Sequence, residues 1–142
     1  MLDSRKNMQL IILILGDLLV IFSFVWIGRN SHNLSVADLG AGLMTALPFV
    51  ISWFLVTPWF GIYRSEICRN WHKLVPRLIL GWAIAGPLAL ILRALFLGRP
   101  VPEGIMPAFA AVSLAYIGIL MIVWRVGYGW WFNRSRQQNV ES

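Results

Sequence analysis

The chain has 142 residues, of which 58% are hydrophobic and 13% charged, with a formal net charge of +6. A soluble domain carries about a quarter charged residues, so the composition excludes a soluble fold. Nucleic-acid binding, which needs a soluble basic face, is excluded with it. The single cysteine, Cys68, excludes an internal disulfide and is expected to be a free thiol in a loop.

Four apolar runs follow one another, near residues 8–27, 39–60, 74–97 and 107–124. At about 1.5 Å per residue, each run is long enough to cross a hydrocarbon core of about 30 Å. The connections are short, which forces neighbouring helices to run antiparallel. The sequence therefore predicts an all-α, up-down, four-helix transmembrane bundle. It forms a single integral membrane domain over residues 1–142, with a polar, flexible cytoplasmic tail at 133–142.

The first run is preceded by Arg5 and Lys6, as in a secretory signal peptide. Its apolar part is longer than the usual signal core, and no small-x-small cleavage site precedes Arg29. We therefore interpret it as a retained helix.

The basic residues are distributed unevenly between the two sides of the predicted bundle. If the N-terminus is cytoplasmic, nine of the 12 Lys and Arg residues lie on that side, with Arg125 counted among them. The other three are Arg29, Arg93 and Arg99. Because basic residues accumulate on the cytoplasmic side, we expect both termini to be cytoplasmic, in a multi-pass protein of the cell membrane.

Aromatic residues are predicted to cluster near the same interface. Trp and Tyr favour that depth because the ring is apolar while one edge forms hydrogen bonds. Anchoring explains the cluster, and a pigment or quinone site stays open as an alternative. The residues are Trp59, Phe60, Tyr63, Trp71, Trp124, Tyr128, Trp130, Trp131 and Phe132.

Asp17 is the one carboxylate inside the first run. An acid at mid-helix costs about 2.5–3.5 kcal/mol on the insertion scale, so its presence needs an explanation. Counted along the apolar runs, its depth matches Pro48, Pro87 and Tyr116, and each proline frees a backbone carbonyl. These residues predict an intramembrane polar layer. Its members are Asp17, Pro48, Pro87, Tyr116, Thr45 and Ser52.

Two interpretations of this layer stay open. In the structural one, Asp17 is neutral, buried and faces the bundle, with backbone carbonyls and hydroxyls as partners. In the functional one, the layer is a binding or proton-exchange site, because proline-interrupted helices at matched depth often mark transport sites. Arg93 is the obvious ionic partner, but it lies about 10 Å further along the helix axis and Asp17 leans away from it.

Catalytic and metal-binding signatures are missing from the sequence. His32 and His72 fall in loops on opposite faces, where they cannot ligate one metal within a monomer. No nucleophile triad, phosphate loop or CxxC motif is present,. We therefore expect a non-enzymatic protein without a metal site. A pigment needs only one axial ligand, so the cofactor question stays open.

Several short motifs are spread along the chain: Gly16-Asp17, the segment from Ile27 to His32, Pro48-Phe49, Arg93, and Gly98-Arg99-Pro100. In this combination the sequence resembles a small bacterial membrane family catalogued as domain of unknown function 3054. The resemblance implies a four-helix fold embedded in a bacterial inner membrane, with no assigned activity. It also implies that Asp17, Arg29, His32, Pro48 and Arg93 belong to one recurring constellation.

The same resemblance suggests a second group of residues at the outer mouth of the bundle. This candidate outer basic rim would attract anions, and it consists of Arg29, Ser31, His32, Arg93 and Arg99.

The sequence favours an accessory or structural subunit of a membrane complex. Its partners would be the lipid bilayer, other membrane subunits or further copies of the chain. Small residues four apart in the later spans, such as Gly81 and Ala85, suit close helix packing. The first alternative is an oligomeric channel or transporter for a small ion or solute that uses the Asp17 layer. The second is a pigment, quinone or lipid binding protein.

Overall fold

The computed structural model describes residues 2–31, 33 and 38–141. Within these residues there are five α-helices: α1 (Leu2–Ser31), α2 (Leu39–Val56), α3 (Ser65–Cys68), α4 (Trp71–Phe96) and α5 (Pro107–Glu141). A short 3₁₀ helix, Thr57–Phe60, continues α2. The described part of the chain is 87% helical and contains no strand. This confirms the predicted all-α class.

Four of the helices are long and apolar enough to cross a membrane: Asp3–Ser31, Leu39–Phe60, Trp71–Phe96 and Pro107–Glu141. Their windows have mean hydropathies between 1.9 and 2.8. Large apolar side chains are exposed on their outer surfaces, for example Leu19 at 71% and Ile84 at 53%. A helix in lipid keeps apolar groups outside because the hydrocarbon is as apolar as they are. The four-helix membrane bundle is therefore confirmed.

The four long helices form a closed ring in the order α1, α2, α4, α5. On α1, Phe24 packs against Phe49 of α2, and Ser23 pairs with Tyr116 of α5. The Trp82 indole of α4 packs against Trp53 of α2 and donates to the carbonyl of Leu114 in α5. Ser23 contacts Tyr116, whereas the earlier Asp17 contacts the later Arg125, so α1 and α5 are antiparallel. Asp17 likewise contacts Trp53 of α2, which comes after the Phe49 that Phe24 contacts, so α1 and α2 are antiparallel too. The start of α1 and the end of α5 lie at one end, called here the terminal end.

α1 and α5 are longer than their apolar runs. α1 begins at Leu2, and α5 continues to Glu141, where the sequence predicts a flexible tail from residue 133. Proline and glycine are absent from residues 2–7 of α1 and from residues 133–141 of α5, and residues such as Arg and Gln favour helix. The polar ends therefore prolong helices that the apolar segments already nucleate.

The chain reverses between α2 and α4 at the terminal end. Gly61 adopts φ 63° and closes the 3₁₀ helix, a left-handed conformation that glycine reaches without steric cost. The guanidinium of Arg77 donates to the carbonyl of Phe60 at 2.8 Å, which ties this turn to α4. The turn directs residues Ile62 and Tyr63 back toward the bundle interior.

Candidate functional site

The predicted acid lies at the centre of a polar network inside the bundle. Asp17 is 0% exposed, and so is buried and faces the bundle as predicted. Its partner is Arg125 of α5, which is 1% exposed. The Arg125 Nε donates to Oδ1 at 2.9 Å, and Nη2 donates to Oδ2 at 2.5 Å. This bidentate pair is the strongest geometry available to a guanidinium and a carboxylate.

Two aromatic side chains complete the shell around the acid. The indole Nε1 of Trp53 donates to Oδ2 at 2.9 Å, and the hydroxyl of Tyr63 donates to the same oxygen at 2.9 Å. Asp17 thus accepts four hydrogen bonds, three of them from N–H groups that can only donate. An arginine is always charged and an ionised carboxylate only accepts, so this geometry favours an ionised Asp17 over the neutral acid expected from the sequence.

Arg125 makes one further hydrogen bond and one ring contact. Its Nη1 donates to the carbonyl of Ile62 at 3.2 Å, and its guanidinium lies 4.6 Å from the Tyr63 ring centroid. The Cys68 thiol donates to the same Ile62 carbonyl at 3.0 Å. We call Asp17, Trp53, Ile62, Tyr63 and Arg125 the Asp17 network. It ties together α1, α2, the α2–α3 turn and α5.

Burial is what perturbs the titrating groups beside this network. It raises the pKa of the Tyr63 hydroxyl, and the neighbouring Asp17 carboxylate raises it further. Burial likewise raises the pKa of the Cys68 thiol. Both groups therefore stay protonated at neutral pH, so Tyr63 remains a hydrogen-bond donor and Cys68 a poor nucleophile.

The reactivity of the Cys68 thiol reports how accessible the terminal end of the bundle is to solvent. The side chain is 3% exposed, and reaction with a maleimide requires the thiolate. We expect labelling of the native protein at pH 7 to be at least about tenfold slower than labelling after SDS unfolding. Equal rates would show that Cys68 is open to solvent.

The predicted polar layer is not assembled around Asp17. The Tyr116 hydroxyl lies 3.2 Å from the Ser23 hydroxyl. Ser23 is about 9 Å from Asp17 along the axis of α1, so Tyr116 is not level with Asp17. Pro48 is buried beside Phe49, and Pro87 is exposed. The Thr45 hydroxyl donates to the Ala41 carbonyl, and the Ser52 hydroxyl is buried without a partner among the described residues.

Arg93 does not pair with Asp17. Its guanidinium lies 4.1 Å from the ring centroid of Phe109, and its buried Nε has no partner in the described part of the chain. The reason is axial distance: Asp17 leans toward the terminal end, and Arg93 lies near the opposite end of α4,.

The candidate outer basic rim is only partly described. Arg29 lies in the last turn of α1, the Ser31 hydroxyl donates to the Ile27 carbonyl, and Arg99 is exposed. His32 lies outside the described residues. No described hydrogen bond or ion pair joins Ser31, Arg93 and Arg99 to one another.

Sequence reasoning missed Arg125, Trp53 and the interior position of Tyr63. The sequence predicts an interface position for Arg125, because the last apolar run ends at Trp124. A usable signal existed: side chains lean toward their helix N-terminus. On antiparallel helices, Asp17 and Arg125 therefore lean toward each other.

The fold and this network define a small four-helix membrane protein whose interior holds one bidentate ion pair. The chain matches the family described as protein of unknown function (DUF3054) over residues 14–128. It therefore belongs to that family, as the resemblance implied. No curated protein and no solved structure matches the chain.

Proposed function

We propose that the protein is a non-enzymatic membrane subunit, a rigid four-helix scaffold on which other membrane components assemble. The observation that carries this proposal is that donors from several elements hold the Asp17 carboxylate. Three hydrogen bonds reach Oδ2, from Trp53, Tyr63 and Arg125, and one reaches Oδ1, from Arg125. A general acid, a proton carrier or an ion ligand would have to give up part of this set to reach its substrate. A pair held in this way instead fixes how the helices meet.

The contrast with transport follows from the same geometry. The alternative of a channel or transporter requires Asp17 to exchange protons or ions at mid-membrane. Releasing Arg125 would leave a buried charge without a partner, at a cost of about 3–5 kcal/mol. This cost favours the scaffold over the transporter.

The outer surface of α5 suits contact with a partner helix. Gly127 is exposed, and a Cβ added there would meet nothing within 4 Å. Trp130, at 62% exposure, and Val123, at 60%, flank it on the same helix. Small residues allow close backbone approach, which drives helix association in lipid. Another membrane subunit or a second copy of the chain would bind along this surface.

We place the protein in a bacterial cell membrane with both termini in the cytoplasm. With Arg125 inside the bundle, eight of the nine basic residues assigned to the terminal end remain there, against Arg29, Arg93 and Arg99. The bias of basic residues toward the cytoplasm therefore still supports this orientation.

The scaffold proposal predicts a complex larger than a monomer. Membranes solubilised in a mild detergent should give a higher-mass band on a native gel, and Gly127→Leu should shift it toward the monomer. Ile84→Phe adds similar bulk to the exposed surface of α4 and should leave the band unchanged. A free monomer alone, with no crosslinked partner, would contradict the proposal.

A further inference from the structure

A basic groove of about 600 Å³ opens at the terminal end, between α1, α3 and α5. Four cations line it, two from the start of α1, one from the α3–α4 connection and one from the end of α5. No described Asp or Glu is among the lining residues. The cations are Arg5, Lys6, Arg69 and Arg136.

Two hydrogen-bond donors at this groove lack partners. Gln9 is only 8% exposed, and its Nε2 is buried with no partner among the described residues. The Nε of Arg69 is also buried and has no partner among the described residues. A buried donor without an acceptor costs about 1–3 kcal/mol, so a ligand that supplies acceptor oxygens here gains that energy on binding.

The lining is apolar on the side that faces the bundle surface. Ile12 and Trp131 line the groove together with the cations. Ile12 also lines a furrow of about 400 Å³ that runs along α1 and α5 past Leu15, Leu19 and Trp124. Ile12 thus lines both cavities, which places the furrow next to the groove along α1.

We propose that this groove is a binding site for an anionic phospholipid. Its phosphate would bind Arg69, Arg136 and the Gln9 amide, and one acyl chain would lie in the furrow between α1 and α5. The four cations favour an anionic headgroup over a neutral one. Each cation near the surface raises the affinity for the anionic lipid by up to about tenfold. The furrow selects a lipid over a free phosphate, because each buried CH₂ adds to the binding.

The site is tested by counting bound lipids on the purified full-length protein by native mass spectrometry. Dioleoyl phosphatidylglycerol should stay bound at concentrations where dioleoyl phosphatidylcholine does not. The double variant Arg69→Gln/Arg136→Gln should weaken phosphatidylglycerol binding by about tenfold or more.

The matched control is Lys73→Gln/Arg134→Gln. It removes the same charge from the terminal end, outside the groove lining. It also removes one cation–π contact, Arg134 on Trp130, as the test variant removes Arg69 on Phe132. Selective binding in this control supports a built site. Equal loss in both doubles, or equal binding of the two lipids in the wild type, would overturn the proposal.

A second variant keeps the test informative if the double variant fails to fold. Gln9→Met is nearly isosteric and removes the unpartnered donor, so the lipid-free protein should melt at the same or a higher temperature while phosphatidylglycerol binding weakens. Unchanged lipid binding would contradict a role for Gln9. If inorganic phosphate displaces the lipid at equal concentration, the site binds phosphate alone and the lipid proposal is overturned. Neither result depends on whether the scaffold proposal holds.

Discussion

Replacing Asp17 by Asn is expected to destabilise the bundle by about 3–5 kcal/mol, the cost of leaving one partner of a buried ion pair without its counter-charge. The amide keeps the shape of the carboxylate but replaces one acceptor oxygen with a donor group. That group would face the donors of Arg125, Trp53 or Tyr63. The free energy of unfolding is measured by SDS titration in mixed micelles, followed by circular dichroism.

The matched control is Asp38→Asn. Asp38 is exposed, and its Oδ1 caps α2 by accepting the Ala41 N–H at 3.1 Å. Asn caps helices about as well as Asp, so the same chemical change should alter the stability by less than about 0.5 kcal/mol there. A similar loss in both variants would show that the Asp17 charge has no special role.

The double variant Asp17→Leu/Arg125→Met separates the pair from its surroundings. It removes both charges, so it should lose less stability than the two single substitutions combined. It will not equal the wild type, because Trp53 and Tyr63 lose their acceptor and each unsatisfied donor costs about 1–3 kcal/mol. Losses that simply add would contradict direct coupling between Asp17 and Arg125.

The second large effect is expected at Gly129 in α5. A Cβ added at Gly129 would overlap the backbone carbonyl oxygen of Cys68, and a backbone atom has no rotamer to which it could move. Gly129→Ala should therefore push α5 away from α3, at a cost of about 1–3 kcal/mol. The same displacement should speed maleimide labelling of Cys68.

Gly127 gives the matched control two residues earlier. Nothing lies within 4 Å of a Cβ added there, so Gly127→Ala should be neutral or stabilise the helix by up to about 1 kcal/mol. If the two alanine variants unfold at the same SDS concentration, the close contact between α5 and α3 is absent.

The four helices could be predicted from the sequence because membrane thickness fixes the length of each apolar run. Depth within the bundle could not be read in the same way. α5 continues to Glu141, well beyond the end of its apolar run at residue 124, so the midpoint of that run does not lie at the depth of Asp17. This is why the sequence places Asp17 level with Tyr116, whereas Tyr116 lies beside Ser23.

The interior position of Asp17 could also be predicted, since an acid facing lipid would be too costly. Its partner depended on where one arginine at the edge of a run would lie. Arg125 follows Trp124 directly, and sequence alone allows it to face either the interface or the interior. The choice is made by packing: Gly16 leaves room for the Trp124 indole, and this close approach of α1 and α5 brings the next residue, Arg125, against Asp17.

The position of Tyr63 was decided by the turn that precedes it. Gly61 reverses the chain after the 3₁₀ helix, which sends the Tyr63 hydroxyl to Asp17 instead of to the membrane interface. An aromatic residue near a span end is usually an anchor, so composition pointed to the wrong role. The sequence around Tyr63 does not show whether its side chain lies at the membrane interface or contacts Asp17.

The central claim is that Asp17 is an ionised carboxylate held by Arg125, and infrared spectroscopy of aspartate-labelled protein tests it most directly. The chain carries three aspartates, and the other two, Asp3 and Asp38, are exposed. The side-chain carboxyl groups of aspartate are labelled with ¹³C and the spectrum is recorded at neutral pH. We predict that the labelled groups give only carboxylate stretching bands, and that one of these bands is lost in Asp17→Asn. A carbonyl band of a protonated carboxylic acid that disappears in the same variant would contradict the ion pair.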